Sequence, residues 1–334
     1  MIELRNDRLS YSFPDVHRDA NLEIEFQRTL RIPDDERTYP LPPGLGAFPI
    51  RVVDDYADRL PAGWRRHGGV VLPMHQSEAL WIRFLPHYDR ARASAYPFAV
   101  KVGAGKVNAV TGEPWTDGLQ ARPQAHIVAS LQPWLDGFCV EKGVIRQFVA
   151  MPLGAGYSAE EQLTGAAEHG GLQIEVFPMK RAAFERRFPK RPHAGRAVFL
   201  AAPGADYSMG LAPGGRMRQE LYEDPFEFDD WDLTHSARCF VHIANTLVWR
   251  SITESAPPSP PPTAAEYTRH GLPWFEYYDE DAVALEGSDK LASLKSVAAK
   301  GAEDGLTPLL ENEPVVPGHV VVMGGAVVVR QGEI

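Results

Sequence analysis

The sequence predicts an α+β fold with a largely antiparallel β-sheet core, several short helices and long ordered loops rich in proline and glycine. Short apolar runs with alternating polar neighbours are frequent, and they do not alternate steadily with helical patterns as in a doubly wound sheet. The 29 prolines and 29 glycines are spread along the chain, which favours many short elements joined by fixed turns. Hydrophobic residues make up 44% and charged residues 23%, so a packed core is expected.

The first fifty residues are interpreted as an extended N-terminal wrap that contains one strand. Over residues 22–30 apolar side chains alternate with charged ones, as on a half-buried strand. The segment PDDERTYPLPPGLG at 33–46 excludes a helix or a central strand, because proline lacks an N–H donor and fixes φ.

The next elements are predicted from periodicity and from the positions of glycines. They are a helix over 52–67 ending at Gly68 and Gly69, a strand or helix over 80–85, a hairpin over 97–110 turning at 103–105, and strands over 127–131 and 143–151.

The central segment, 148–180, contains the strongest local signals. An apolar strand is predicted to turn through Gly154 and Gly156 into a helix that begins at Ser158. Ser158 and the glutamate three residues later form the S-x-x-E pattern of a capping box. The helix is expected to end near Glu168 and His169, because two glycines follow and favour a C-terminal stop. A strand is predicted from 172 onward, where polar and apolar residues alternate.

The C-terminal third begins with an ambiguous segment, 237–253, which fits either a strand or a helix. Its β-branched and aromatic residues favour a strand. The sequence APPSPPPT at 256–263 is a proline-rich connector of polyproline II type. Short helices are predicted over 264–270 and 291–299.

The connector is the one composition shift that marks a boundary. We therefore predict a main α+β domain over 1–255, with the wrap at 1–50, and a helical and aromatic extension over 264–334 that packs on it.

Charge and composition exclude several classes of protein. A net charge of −10 and a pI near 5.6 argue against a nucleic-acid-binding protein, which needs a basic face. No membrane insertion is expected, because the most apolar segment, 315–329, is short and interrupted by proline and glycines. The N-terminus has no apolar core of a signal peptide, and Cys139 and Cys239 are the two cysteines. These features predict a cytoplasmic protein with two free thiols.

One candidate anion-binding site is the turn before the central helix. Gly154, Gly156 and Ser158 could direct backbone N–H groups toward an anion, supported by the helix dipole. The alternative is an ordinary capped turn, because no lysine follows the glycines and the dinucleotide fingerprint is incomplete. A P-loop is also excluded at 103–107, where the required glycine and hydroxyl residues are missing.

Candidate metal ligands are scattered along the chain, since neither C-x-x-C nor H-E-x-x-H occurs. His75 and Glu78 would share one face of a helix, His169 follows the central helix, and His235 and His242 flank Cys239. A divalent metal ion is the cofactor that this set would hold. Haem is not expected, because the attachment motif C-x-x-C-H is absent. For each histidine the alternative is a surface position or a core position with its hydrogen bonds satisfied.

Glu168 and His169 are candidate catalytic residues, since a carboxylate beside an imidazole can orient the ring and raise its pKa. The G-x-S-x-G motif of a serine hydrolase is absent.

The segment WFEYYDED brings Trp274, Phe275, Tyr277 and Tyr278 together. Such a cluster could form a recognition surface for a protein partner or a second copy of the chain. The alternative, which we favour, is that it attaches the extension to the main domain.

Two functions remain from the sequence. A non-catalytic binding or self-assembly protein is favoured, because no complete catalytic motif occurs. The alternative is a small-molecule enzyme with its pocket near 154–169. One form of this hypothesis includes a metal ion that assists catalysis.

Overall fold

Alternating apolar residues build two large β-sheets in the computed structural model, which describes residues 1–190, 209–277, 279 and 282–323. Two smaller sheets of two strands each accompany them in these ranges. The strands are β1 (Ile2–Arg5), β2 (Arg8–Ser12), β3 (Asn21–Thr29), β4 (Thr38–Tyr39), β5 (Gly44–Ala47), β6 (Arg51–Val52), β7 (Val70–Pro73), β8 (Ala79–Pro86), β9 (Tyr88–Asp89), β10 (Ser94–Ala95), β11 (Phe98–Ala104), β12 (Val107–Asn108), β13 (Ile127–Val128), β14 (Trp134–Leu135), β15 (Gly137–Glu141), β16 (Val144–Pro152), β17 (Leu172–Pro178), β18 (Met209–Arg218), β19 (Ala237–Ala244), β20 (Trp274–Tyr277) and β21 (Val320–Met323).

The larger sheet has the order β1-β2-β3-β8-β16-β18-β4, with β5, β14 and β15 paired at its sides. The second sheet has the order β12-β11-β17-β19-β7-β6, with β13 paired to β11. Most neighbours are antiparallel, whereas β4–β18, β7–β19 and β20–β21 are parallel. The predicted α+β class with mainly antiparallel sheets is confirmed.

The helices are short and lie between or beside the strands. They are α1 (Ala62–His67), α2 (Ala159–Thr164), α3 (Arg181–Arg187), α4 (Thr246–Thr253), α5 (Ala264–Arg269), α6 (Asp289–Ala292) and α7 (Val297–Glu303), with 3-10 helices at Val53–Arg59, Phe228–Asp230 and Leu310–Asn312. Among the residues that the structure describes, no helix is long and apolar enough to cross a membrane.

The two sheets pack face to face around one apolar core. In β8, Leu80 and Ile82 are fully buried and point inward, while Trp81 between them is half-buried on the outer face. Ile174 of β17 and Val241 of β19 belong to the same core cluster from the second sheet. The period of two along each strand therefore separates a hydrophobic inner face from an outer face that is available for polar chemistry.

Residues 1–50 contribute far more sheet than the single strand that we expected. Strands β1 and β2 form a hairpin in which Arg5 pairs with Arg8, so the loop consists of Asn6 and Asp7. Both loop residues have positive φ, 51° and 56°, which is the geometry of a tight hairpin turn. Apolar and polar residues alternate in both strands, but the strands are only four and five residues long, so the pattern is weak in the sequence.

Four helix predictions need correction. The helix expected over 52–67 is divided into the 3-10 helix Val53–Arg59 and α1, which has Pro61 as its N-cap. Helix α2 ends at Thr164, because Gly165 adopts the left-handed conformation (φ 73°) several residues before the expected stop. The segment 237–253 is divided, with strand β19 followed by helix α4. The helix expected over 291–299 is interrupted, and Ser296 caps a new helix, α7.

The described part of the extension packs on the rest of the chain. Tyr267, Trp274 and Val315 form an apolar cluster with Leu30 and Ile32 of the N-terminal segment. Further along, Leu291 of α6 joins the main core between the sheets. The extension thus covers the outer face of the larger sheet over part of its width.

Candidate functional sites

The turn at 154–158 is closed by a carboxylate of the protein itself. Glu161 Oε1 accepts hydrogen bonds from the N–H groups of Gly154 at 2.9 Å and Gly156 at 2.8 Å. Its Oε2 accepts from the N–H of Ser158 at 3.1 Å and from the Ser158 hydroxyl at 2.6 Å. The predicted capping box is present. An external anion would have to displace Glu161, so these donors do not form an open anion site.

His169 lies beside a carboxylate, and that carboxylate belongs to Glu160. Glu160 Oε1 lies 2.9 Å from His169 Nδ1, and Oε2 accepts the backbone N–H groups of His169 and Gly170. Glu160 is 2% exposed, whereas Glu168, which we expected beside the imidazole, is exposed. The early end of α2 turns the chain back, and this brings His169 over the first turn of the helix.

A stack of nearly parallel rings extends from His169 across the outer face of the second sheet. His67, at the end of α1, lies 5.4 Å from His169, 4.7 Å from Phe240 and 6.2 Å from His242, measured between ring centroids. Trp64 stacks on His242 at 4.7 Å. The structure thus brings His169 and His242 together through His67, a residue that the sequence did not single out.

Two histidines in this stack, His67 and His242, have lowered pKa values, which favour the neutral form. Burial lowers the pKa of His242 to about 4, although its hydrogen bond with the Gly68 carbonyl acts in the opposite direction. Burial, followed by the charge of His169, lowers the pKa of His67. Neutral, nearly parallel rings of this kind are suited to packing against one another.

The candidate metal ligands do not form a ligand set. His75 and Glu78 lie in a turn, not on a helix, and Glu78 is paired with Arg28 at 2.6 Å. His235 is exposed beside Asp232, at 3.0 Å. Within the described ranges, no group of three or more His, Cys, Asp or Glu side chains could hold a metal ion.

Both cysteines are buried and unlinked. Burial raises the pKa of the Cys139 and Cys239 thiols to about 12. A thiolate nucleophile at neutral pH is therefore not supported at either position.

A second candidate site is a pocket of about 650 Å³ between the outer face of the larger sheet and the extension. We call it the aromatic pocket. Its lining comes from the N-terminal segment, β8, the β14 region and the two strands of the extension: Leu41, Pro42, Pro43, Gly44, Trp81, Arg83, Phe84, Leu85, Pro133, Trp134, Asp136, Phe275, Tyr277 and Met323. This volume lies within the range of roughly 300–1,000 Å³ that is typical of small-molecule sites.

Three half-buried rings dominate the aromatic pocket. The ring centroids of Trp81 and Trp134 are 6.1 Å apart with an interplanar angle of 67°. Tyr277 lies 4.9 Å from Trp134 at 54°. Because the rings are steeply inclined to one another, they form a corner and not one flat surface.

A buried acid forms part of the same wall. Asp136 Oδ2 accepts a hydrogen bond from Gln219 Nε2 at 2.6 Å. Burial raises the pKa of Asp136 to about 7, with hydrogen bonds from Gln219 and Trp134 acting in the opposite direction. A residue with a pKa near neutrality at the wall of a ligand-sized pocket is a frequent feature of functional sites.

The positive charge of Arg83 in this pocket is balanced by neighbours. Its Nη1 lies 3.4 Å from Oε2 of Glu25, whose side chain is fully buried. Arg8 lies 3.5 Å from the other oxygen of Glu25 and 2.9 Å from Glu23. Two cations and two anions therefore alternate on this part of the sheet.

The aromatic cluster of the extension is divided between two roles. Trp274 is fully buried in the apolar cluster that attaches the extension. Phe275 and Tyr277 line the aromatic pocket, and Tyr278 lies outside the described residues. The sequence did not predict Trp81, Trp134 or Asp136 as site residues. The sequence signal that could have indicated this site is Trp81, a tryptophan on the polar face of an alternating strand pattern.

Comparison of the chain with protein-family models, curated proteins and solved structures finds no match.

Proposed function

We propose that the protein binds a small organic molecule in the aromatic pocket and acts as a binding protein. The observation that carries this proposal is the ligand-sized cavity lined by Trp81, Trp134 and Tyr277. Aromatic rings supply large apolar contact area, and a few polar groups among them fix the orientation of a ligand.

A ligand screen tests the proposal. We expect compounds that stabilise the protein against thermal unfolding to change tryptophan fluorescence as well, because Trp81 and Trp134 line the pocket. Trp134→Leu should abolish these effects, while Tyr88→Leu, at a tyrosine that is 53% exposed and does not line the pocket, should keep them.

A second variant leaves every ring in place. In Gly44→Ala the new methyl group would lie 3.2 Å from Cζ2 of Trp81 and narrow the pocket. Weakened binding in a stably folded Gly44→Ala protein would support the proposal. Ligands that bind both pocket variants as tightly as the parent would contradict it.

The same surface could serve self-assembly, since Phe275 and Tyr277 lie at its rim. A homo-oligomer held through these residues would dissociate in Tyr277→Asp, which light scattering coupled to size-exclusion chromatography would detect. A cytoplasmic location and the absence of a nucleic-acid partner are part of the proposal, supported by the two free thiols and the net charge of −10.

The second candidate function is an enzyme that uses His169 as a base. Glu160 lies against Nδ1, so Nε2 would carry the lone pair that accepts a proton. Turnover in a substrate panel that is lost in both Glu160→Gln and His169→Asn would favour this function. In its metal-assisted version His169 would be a ligand, and metal analysis of the purified protein should then find a stoichiometric divalent ion.

A further inference from the structure

The lining of the aromatic pocket combines aromatic rings with the carboxyl group of Asp136 and few other hydrogen-bonding side chains. We propose that its ligand carries a quaternary ammonium group, which would sit in the corner between Trp81, Trp134 and Tyr277. This inference rests on the proposed function and names the chemical class of the small molecule.

The ring geometry favours a bulky cation. The face of an aromatic ring attracts a cation within about 6 Å of its centroid, and indole does so most strongly. Trp134 lies between its two neighbours, with centroid separations of 6.1 and 4.9 Å. A methylated ammonium group in contact with the face of Trp134 therefore lies within reach of a second ring.

The local charge favours a cation as well. The charges of Arg83 and Arg8 are offset by Glu25 and Glu23, so the wall carries no net positive charge that would repel a cation. Asp136 adds a negative charge above its pKa of about 7. The net charge of −10 on the whole chain acts in the same direction at long range.

The small number of hydrogen-bond acceptors in the pocket favours a quaternary over a primary ammonium group. A primary ammonium has three N–H donors, and each loses water when it is buried. Asp136 is the lining carboxylate, and its Oδ2 already accepts from Gln219. A quaternary ammonium has no N–H donors to satisfy, so its methyl groups can contact the rings without this cost.

A pair of isosteres tests the charge directly. Choline and 3,3-dimethylbutan-1-ol have the same shape and differ in a positive nitrogen against a neutral carbon. We expect choline to bind at least about tenfold more tightly in titrations that follow tryptophan fluorescence and heat. Above the pKa of Asp136, which is about 7, Asp136→Asn should weaken choline binding several-fold and leave binding of the neutral isostere unchanged. Tyr88→Leu should affect neither compound.

The outcomes separate the two proposals. Equal or tighter binding of the neutral isostere would overturn the ammonium inference and leave the aromatic pocket as an apolar ligand site. Failure of both isosteres, with other screened compounds bound in the pocket, would have the same meaning. Retention of choline affinity in both Trp134→Leu and Tyr277→Leu would also overturn the inference, because the cation would then bind elsewhere. If no compound binds at all, the proposed function fails together with the inference.

Discussion

The carboxylate of Glu161 acts as an internal anion for the turn before α2, and its removal tests this directly. In Glu161→Ala, the N–H groups of Gly154, Gly156 and Ser158 and the Ser158 hydroxyl lose their acceptor. Within the described residues the Glu161 side chain makes no other hydrogen bond, so the variant removes only these four interactions.

The expected loss follows from the contacts. Loss of a helix N-terminal cap costs about 1 kcal/mol. Each glycine N–H that loses a charged acceptor adds about 0.5–1 kcal/mol, because the turn is partly exposed and water can replace the carboxylate. The free energy of unfolding should therefore fall by about 2–3 kcal/mol. Glu266→Ala is a matched control, since Glu266 closes a capping box with Thr263 and accepts from no further backbone donor outside it. Its loss of stability should be smaller, because only the capping box is removed.

Urea denaturation at constant ionic strength is the assay, with chloride replaced by formate or acetate. A small carboxylate that enters the space left by the Glu161 carboxylate should restore part of the stability of Glu161→Ala, since it binds the folded state alone. It should not stabilise the parent protein or Glu266→Ala. A loss no larger than that of Glu266→Ala, or the absence of specific recovery by formate, would refute the interpretation of the turn as an internally filled anion site.

Three further predictions concern buried groups. Burial raises the pKa of Asp136 from 3.8 to about 7, so between these values the folded protein keeps a proton that the unfolded chain releases. The stabilisation from this group is fully present below the lower value and is lost as pH rises through about 7. In this range the free energy of unfolding should fall with a slope of up to ~1.4 kcal/mol per pH unit. Urea denaturation should show a flatter dependence of stability on pH for Asp136→Asn. Gly105→Ala would place Cβ 2.4 Å from Oε2 of Glu160 at a φ of +57°, whereas Gly118→Ala meets nothing within 4 Å at +78°. We expect losses of about 3 and about 1 kcal/mol respectively, and equal losses would show that Glu160 yields easily. Both cysteines should resist a thiol reagent in the folded protein at mildly alkaline pH and react as two thiols in denaturant, and rapid labelling of the folded protein would contradict their burial.

Local signals predicted local structure well. The capping box at Ser158 and the strand that begins at Leu172 are present because each depends on a few neighbouring residues. The end of α2 was misplaced because two glycine signals compete, and Gly165 takes the left-handed conformation first. The sequence of the segment alone does not decide which glycine ends helix α2, since this depends on the burial of Glu160 in the folded chain.

The sites depend on long-range packing and were therefore less accessible. Sequence adjacency suggested the pair Glu168 and His169, but the imidazole contacts Glu160, nine residues away. His67 and His242 reach the same stack from α1 and β19. No spacing rule connects residues that meet only because separate strands lie side by side in one sheet.

The position of the aromatic pocket follows from how the extension covers the larger sheet. Every strand of that sheet has an outer face, and on β8 this face carries Trp81 and Arg83. Trp274 anchors the extension in an apolar cluster, and the two residues that follow at alternate positions, Phe275 and Tyr277, then face the pocket. In the proposed function, the aromatic segment therefore has an attachment role and a recognition role at the same time. Burial of one tryptophan fixes the register in which its neighbours complete the pocket, so a change that loosens Trp274 should act on binding as well as on stability.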